Sequence, residues 1–182
     1  MQKQYHLFLD DSRFPKDVKW IELPPVAWVI VRNYQQFVEI IRRDGVPLSI
    51  SFDHDLADEH YQEYSYAHDK KMLSYGKIRY DRFSEKTGCD CAKWLANYCI
   101  DNHIPIPLYY LHTLNGIGRQ NIFSVLESAR KVIMSQPKCQ KCGKPVDSDE
   151  LHSCPYAEDI NNDPTPQCNC CSDCSRQCAE DI

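Results

Sequence analysis

The sequence predicts an α/β layered fold with a mainly parallel sheet, and two observations indicate this class. β-Prone runs occur at 4–9, 26–31, 48–52 and 107–111, and the unbroken run VAWVIV at 26–31 is typical of a parallel strand covered on both faces. Amphipathic helical stretches follow the second, third and fourth runs, so strands and helices alternate along the chain.

Apolar residues recur at helical spacing in three segments, and they predict helices at 33–45, 90–103 and 120–134. The first of these helices lies between the second and third strands, where Gly45 can terminate it. The second and third helices lie before and after the fourth strand. This order contains β-α-β units, whose parallel strands end at the same edge of a sheet.

The chain of 182 residues has room for one domain of ordinary size and a small appendage. We expect a folded body at 1–137 and a Cys-rich module at 138–182, with the SQPK segment as the boundary. A polar insert at 57–87, rich in Tyr, His and Lys, is far longer than a usual connection. Its position directly after the third strand favours a mobile lid, and a small subdomain is the alternative.

Charge is distributed unevenly, with 18 basic and 17 acidic residues through Lys138, against 3 basic and 9 acidic residues after it. The near-neutral body argues against a protein that coats nucleic acid by charge, but recognition of one phosphate group stays open. No signal-peptide pattern and no stretch approaching the ~20 apolar residues of a membrane span is evident. We therefore expect a cytoplasmic protein without a membrane partner.

Ionisable or polar side chains follow three of the four predicted strands. They are Asp10 and Asp11 after the first strand, Asp53, His54 and Asp55 after the third, and His112, Thr113 and Asn115 after the fourth. A single Asp-Asp pair is typical of a turn or cap, but open α/β sheets bind ligands at this edge, and recurrence at three strands favours a site. Clustered carboxylates imply a bound cation or a shared proton. We expect Mg²⁺ or Mn²⁺ on Asp10, Asp11 and Asp53, with Asp55 as an alternate ligand.

Four motifs carry a resemblance to a known family: LFLDDSR at 7–13, FDHDL at 52–56, GCDCAKWL at 88–95 and LHTLNGIGRQNI at 111–122. Over about residues 5–130 the chain resembles the cyclic-phosphate processing receiver-like domains, relatives of response-regulator receivers. The resemblance implies a flavodoxin- or receiver-like sheet with helices on both faces. It also implies that Asp10, Asp11 and Asp53 match the acidic pocket of a receiver. A fifth strand ending in lysine is not evident, so phosphorelay signalling is not expected.

The resemblance implies a metal-dependent phosphoesterase acting on a cyclic phosphate, either an RNA 2′,3′-cyclic phosphate end or a cyclic nucleotide. Opening such an ester needs a base and an acid, and His54 and His112 are the candidates because imidazoles titrate near neutral pH. Gly116 and Gly118 are typical of a turn that permits close backbone approach before a helix N-terminus. The candidate contacts to phosphate oxygens are Arg13, Thr113, Asn115 and Asn121.

Two other functions are compatible with these residues. The first is a non-catalytic receiver-like module that binds a nucleotide or docks a protein partner through the Cys-rich tail. The second is a phosphatase or nuclease acting on open phosphate ends. Convergence of the two histidines beside the acids would favour the phosphoesterase.

The tail holds 8 of the 11 cysteines, and in a reducing compartment such clustering favours zinc over disulfides. Cys139, Cys142, Cys171 and Cys174 form a predicted four-thiolate zinc site, since Cys-x-x-Cys-Gly is typical of a zinc knuckle. The tail also resembles small Cys-rich modules of phage and bacterial proteins, and a closed site implies a structural or docking role. Further candidate ligands, for a second zinc ion, are His152, Cys154, Cys168 or Cys170, and Cys178.

Overall fold

The structure is a computed structural model that describes residues 4–57, 86–139, 142–143, 146, 172–174 and 176. Nearly all of the predicted insert and most of the tail lie outside the described residues, so the lid interpretation stays a prediction. The chain forms two compact units, Met1–Arg130 and Lys131–Ile182. The predicted boundary between 137 and 138 also stays a prediction.

Four parallel strands form one sheet in the order β2-β1-β3-β4. Leu9 pairs with Val31 on one side and Phe52 on the other, and Phe52 pairs with Leu111, so all four strands end level. This topology confirms the predicted receiver-like class with a parallel sheet. The strands are β1 (His6–Leu9), β2 (Trp28–Val31), β3 (Ser49–Phe52) and β4 (Leu108–Leu111).

Within the described part of the chain, three α-helices accompany the sheet: α1 (Tyr34–Asp44), α2 (Gly88–Asp101) and α3 (Gly116–Ser135). Helix α1 begins where the Asn33 side chain accepts a hydrogen bond from the backbone of Gln36. A capping box of Thr87 and Asp90 starts α2 two residues before its predicted beginning. Helix α3 starts four residues early, so the turn predicted for its two N-terminal glycines is wrong.

Packing of α1 against the sheet builds the apolar side of the core. The ring centroid of Phe37 lies 5.8 Å from that of Phe52 in β3 and 6.2 Å from that of Trp94 in α2. Ser49 and Ser51 alternate with the apolar residues of β3, so they point to the other face of the sheet. Strand β3 therefore places two serine hydroxyl groups on the face of the sheet opposite to Phe52.

The strand order has a reversal that marks the expected binding crevice. The chain passes from β1 outward to β2, and then crosses back over β1 to β3 and β4. In doubly wound sheets, ligands bind outside the carboxyl ends of the strands at such a switch point. Asp10 follows β1 and Asp53 follows β3, so two of the predicted acids lie at this position. None of the described helices has the length and apolar character that a membrane crossing requires.

Candidate functional site

Three carboxylates converge at the switch point. Asp10, Asp11 and Asp53 each offer an oxygen atom, and these atoms lie within 4.8 Å of one another. Backbone hydrogen bonds fix two of the three residues: the Asp10 amide donates to Val31 (3.2 Å), and the Asp53 amide donates to Leu9 (2.8 Å). The ladder of the sheet thus extends one residue beyond β1 and β3 and brings these acids together.

Asp10 is fully buried and accepts four hydrogen bonds. Its Oδ1 atom accepts from the amides of Ser12 (2.9 Å) and Arg13 (2.6 Å). Its Oδ2 atom accepts from Arg13 Nε at 2.8 Å and from His112 Nε2 at 3.0 Å. Because a carboxylate offers about four lone-pair positions, Asp10 is saturated in this arrangement.

Arg13 bridges two of the acids. In addition to its bond to Asp10, its Nη2 atom lies 2.7 Å from Asp53 Oδ2. Arg32, which follows β2, donates from Nη1 to the carbonyls of Asp10 (2.8 Å) and Arg13 (2.7 Å). One arginine therefore neutralises the acids, while a second one holds the backbone that carries them.

The acids differ in their electrostatics. Burial raises the pKa of Asp10, but hydrogen bonds from His112 and the following backbone amides, together with the Arg13 charge, outweigh it and lower the pKa to about 2. Burial raises the pKa of Asp53, with Arg13 opposing and the Asp10 charge adding to the increase. Burial and the Asp10 charge also raise the pKa of Asp11. The cluster therefore combines a firmly ionised acid with two acids that protonate more easily.

His112 is fully buried and has hydrogen bonds at both ring nitrogens. Its Nε2 atom donates to Asp10, and its Nδ1 atom lies 2.7 Å from Ser51 Oγ. Its ring stacks on Phe8 with the centroids 4.5 Å apart. In the neutral ring these partners place the proton on Nε2, with Nδ1 accepting from the serine hydroxyl. This geometry is that of a residue that positions Asp10.

His54 belongs to a second network. Its Nδ1 atom lies 2.8 Å from Asp55 Oδ1, and Asn115 Nδ2 lies 3.1 and 3.2 Å from the two Asp55 oxygens. Asn115 Oδ1 in turn accepts from the Gly118 amide at 2.9 Å in the first turn of α3. The carboxylate of Asp55 holds the His54 proton on Nδ1, so Nε2 carries the lone pair. The Asp55 carboxylate thus fixes the orientation of the His54 ring.

Two glycines allow helices to approach this network closely. A Cβ atom at Gly118 would overlap the His54 ring, and a Cβ atom at Gly88 would overlap the Asp53 carbonyl. The Gly88 amide also donates to the His54 carbonyl at 2.8 Å. Helices α2 and α3 therefore begin directly against the segment that carries the site.

The other predicted phosphate contacts have local roles in the structure. The Thr113 hydroxyl accepts from the Asn115 amide at 3.2 Å, and the Thr113 carbonyl accepts from Arg119 at 2.6 Å. Both bonds shape the connection from β4 to α3. The Oδ1 atom of Asn121 is buried and has no hydrogen-bond partner among the described residues, so water or a ligand can donate to it.

Three residues of the site were not predicted from the sequence. Ser51 is signalled in retrospect by the serines that alternate through the buried strand SISF. Arg32 directly follows β2 and so lies at the same edge as the acids. Trp20 donates from Nε1 to the His112 carbonyl at 2.8 Å, and no sequence pattern marked that contact.

The acid cluster suits a hard divalent cation, because carboxylate oxygens are the ligands that Mg²⁺ prefers. Asp10, Asp11 and Asp53 are close enough to share one ion, whereas Asp55 is bonded to His54 and Asn115. Saturation of Asp10 sets a condition on such binding. A cation that takes an Asp10 oxygen must displace one of its donors, and of the two side-chain donors Arg13 is more exposed than His112.

A second group of potential ligands lies in the tail. The sulfur atoms of Cys139, Cys142 and Cys174 lie within 4.8 Å of one another and could hold a metal ion. The Cys142 amide approaches Cys139 Sγ at 3.5 Å, and Gly143 has a φ angle of 74°, as a tight Cys-x-x-Cys-Gly turn requires. The remaining predicted zinc ligands lie outside the described residues: His152, Cys154, Cys168, Cys170, Cys171 and Cys178.

The topology and the acid cluster together define a receiver-like α/β protein with an acidic pocket at the switch point. A comparison with protein families agrees with this class: the model of the cyclic-phosphate processing receiver domain matches residues 5–128, more than half of the chain. The chain belongs to this family, as its motifs indicated. Comparisons with curated proteins and with solved structures gave no significant match.

Proposed function

We propose that the protein is a metal-dependent phosphoesterase that opens a cyclic phosphate, either at an RNA 2′,3′-cyclic phosphate end or in a cyclic nucleotide. One observation supports this most directly. Asn115 is hydrogen-bonded to Asp55 and Asp55 to His54, and His54 is the residue next to Asp53 of the acid cluster. A base, an orienting carboxylate and a set of metal-type ligands thus occur together in a cyclic-phosphate processing domain.

His54 is the proton-transfer residue in this proposal. Nδ1–H donates a hydrogen bond to Asp55, so Nε2 is the nitrogen that takes a proton from water or from a ribose hydroxyl. Asn115 donates to both oxygens of Asp55 and so fixes the carboxylate. His112 has a different role, because both of its ring nitrogens are bonded within the protein. It positions Asp10.

The acids and Arg13 form the phosphate-binding part of the site. A divalent ion on Asp10, Asp11 and Asp53 would supply charge neutralisation at the phosphoryl oxygens. Arg13, which bonds one oxygen of Asp10 and one of Asp53, would then exchange these partners for two oxygens of one phosphate, the geometry that its planar guanidinium favours. The predicted contact of Arg13 with phosphate is compatible with the observed bonds in this way.

The test is turnover of a panel of cyclic phosphates with Mg²⁺ or Mn²⁺: 2′,3′-cyclic mononucleotides, RNA with a 2′,3′-cyclic end, and cyclic dinucleotides. We expect metal-dependent hydrolysis that falls by ~10² to 10⁴-fold in His54→Ala. His6→Ala is the matched control, since His6 begins β1 at the opposite edge and bonds Ser49 at 2.7 Å. Full turnover by His54→Ala would contradict the role of His54, and no turnover of any substrate would contradict the function.

A second candidate function is a non-catalytic module that binds a nucleotide or docks a protein through the tail. The observation that favours it is that Arg13 already pairs with Asp10 and Asp53, so part of the acid charge is balanced by the protein itself. Cyclic-nucleotide binding without turnover in either metal would support this candidate over the enzyme.

A further inference from the structure

Trp20 is a large aromatic residue that lies partly exposed at the edge of the acid site. Its exposed fraction is 39%, although its indole Nε1 atom is fixed by a 2.8 Å bond to the His112 carbonyl. The guanidinium carbon of Arg13 lies 5.5 Å from the centroid of the indole ring. The ring is therefore held in place by the two residues that also bond Asp10.

The same connection carries a second exposed ring with cations around it. Phe14 has an exposed fraction of 45%, and its centroid lies 4.7 Å from the Arg32 guanidinium carbon and 5.8 Å from Lys16 Nζ. Exposed aromatic faces together with basic side chains are the pattern that proteins use to stack bases and hold phosphates of single-stranded nucleic acids. Here this pattern directly adjoins a candidate phosphate site.

We propose that Trp20 is the stacking platform for a nucleobase, so that the ligand of the acid site is a nucleoside cyclic phosphate and not a base-free sugar phosphate. This inference rests on the proposed function. Trp20 is favoured over Phe14 because its hydrogen bond fixes the ring plane and because Arg13 connects it to the acids. The base would stack on the indole while its phosphate contacts Arg13.

The near-neutral charge of the body limits the length of nucleic acid that the protein can bind. With 18 basic and 17 acidic residues through Lys138, the body lacks the excess of cations that a long phosphate backbone requires. A single nucleotide or the terminal nucleotide of an RNA therefore fits better than an extended strand.

The experiment compares adenosine 2′,3′-cyclic phosphate with 1-O-methylribose 2,3-cyclic phosphate, which lacks the base. Binding is measured by calorimetry with Mg²⁺ in full-length protein that carries His54→Gln, so that the ligand is not consumed. We expect the adenosine ligand to bind about 5- to 150-fold more tightly, the range that one base stacked on an aromatic ring provides. Trp20→Ala should bring the affinity ratio of the two ligands close to one, and the ratio corrects for any change in phosphate binding that the two ligands share.

Two further variants separate stacking from structural support. Trp20→Phe removes the hydrogen bond but keeps an aromatic face, so it should retain most of the preference for the base. Phe123→Ala removes a comparably exposed ring, 47%, from α3 and should leave the affinity ratio unchanged.

The outcomes distinguish this inference from the proposed function. An affinity ratio near one before Trp20 is changed, or an unchanged ratio in Trp20→Ala, overturns the stacking platform while binding of the phosphate persists. A ratio lost equally in Trp20→Phe and Trp20→Ala also overturns it, because loss of the hydrogen bond then explains the effect. Binding of neither ligand overturns the proposed function and the platform together.

Discussion

Asp10 and Asp53 lie in one cluster, but the protein stabilises the charge on their carboxylates to different extents. Asp10 accepts two backbone amides, an arginine and a histidine, which lower its pKa to about 2. Asp53 shares Arg13 with Asp10, and burial still raises its pKa. The charge of Asp10 therefore stabilises the fold, whereas the charge of Asp53 opposes it.

We predict that Asp10→Asn lowers the stability of the fold and that Asp53→Asn does not. At pH 7, Asp10→Asn should lower the free energy of unfolding by about 2 kcal/mol, because the pKa is displaced from 3.8 to about 2. Asp53→Asn should leave stability equal or higher, since the amide avoids burying a charge. Urea unfolding of both variants without added divalent metal measures the difference.

The pH dependence checks the sign of this argument. A lowered pKa gives stability that is present above the ordinary value of 3.8 and is lost as the pH falls towards 2. The deficit of Asp10→Asn relative to the wild type should therefore shrink over that range. A deficit that is constant from pH 7 to pH 3 would show that lost hydrogen-bond geometry, not charge, is responsible.

The start of α3 is the element that most directly controls His54. Gly116 and Gly118 both lie in its first turn, but a Cβ atom at Gly116 meets no atom within 4 Å, whereas one at Gly118 overlaps the His54 ring. Gly118 also donates its amide to Asn115, which holds Asp55. The helix thus positions the base network through close contact that only glycine allows.

We predict that Gly118→Ala displaces the His54 ring and lowers cyclic-phosphate turnover by at least ~10-fold, because misplacement of about 1 Å is costly in catalysis. Gly116→Ala is the matched control in the same turn. It should raise stability by roughly 0.5–1 kcal/mol, since alanine favours the helix, and should leave turnover unchanged. Wild-type turnover in Gly118→Ala, with the fold intact by circular dichroism, would show that the contact does not set the position of His54.

The four strands, the helices and the location of the site at the carboxyl ends of the strands could be predicted from the sequence, because they depend on local sequence patterns. Asp10 and Asp53 follow apolar runs, and parallel connections bring such ends together. The partners of His112 could not be predicted, since its bond to Ser51 depends on the register between two strands. The sequence also did not predict that Gly118 lies within α3. Two nearby glycines are typical of a turn, and the reason for glycine here, the close contact with the His54 ring, is seen only in the structure.

At the scale of the whole molecule, the described residues contain two groups of potential metal ligands, and the two groups differ in chemistry. The acid cluster offers oxygen ligands in the unit Met1–Arg130, whereas Cys139, Cys142 and Cys174 offer sulfur ligands in the unit Lys131–Ile182. Thiolates select zinc and carboxylates select Mg²⁺ or Mn²⁺. We therefore expect the two sites to be loaded and emptied independently.

We predict that the purified protein carries at least one tightly bound zinc ion and that a chelator removes it with local consequences only. Hydrogen exchange at Cys142 and Gly143 should accelerate, because a small Cys-rich module lacks a core of its own without metal. The body has its own buried core around β1 and β3, so its thermal unfolding should not change. Elemental analysis and exchange measured on the same sample provide both readouts.

Substituting one cysteine of the tail and one of the body tests whether only the tail binds zinc. Cys142→Ser should reduce the zinc content, whereas Cys99→Ala should not, because Cys99 is buried in α2 and burial raises the pKa of its thiol to about 12. A thiol that resists ionisation is a poor zinc ligand. Retention of zinc by Cys142→Ser would mean that other cysteines bind the ion. In the chelation experiment, a fall in the thermal stability of the body would show that the stability of the body depends on the tail.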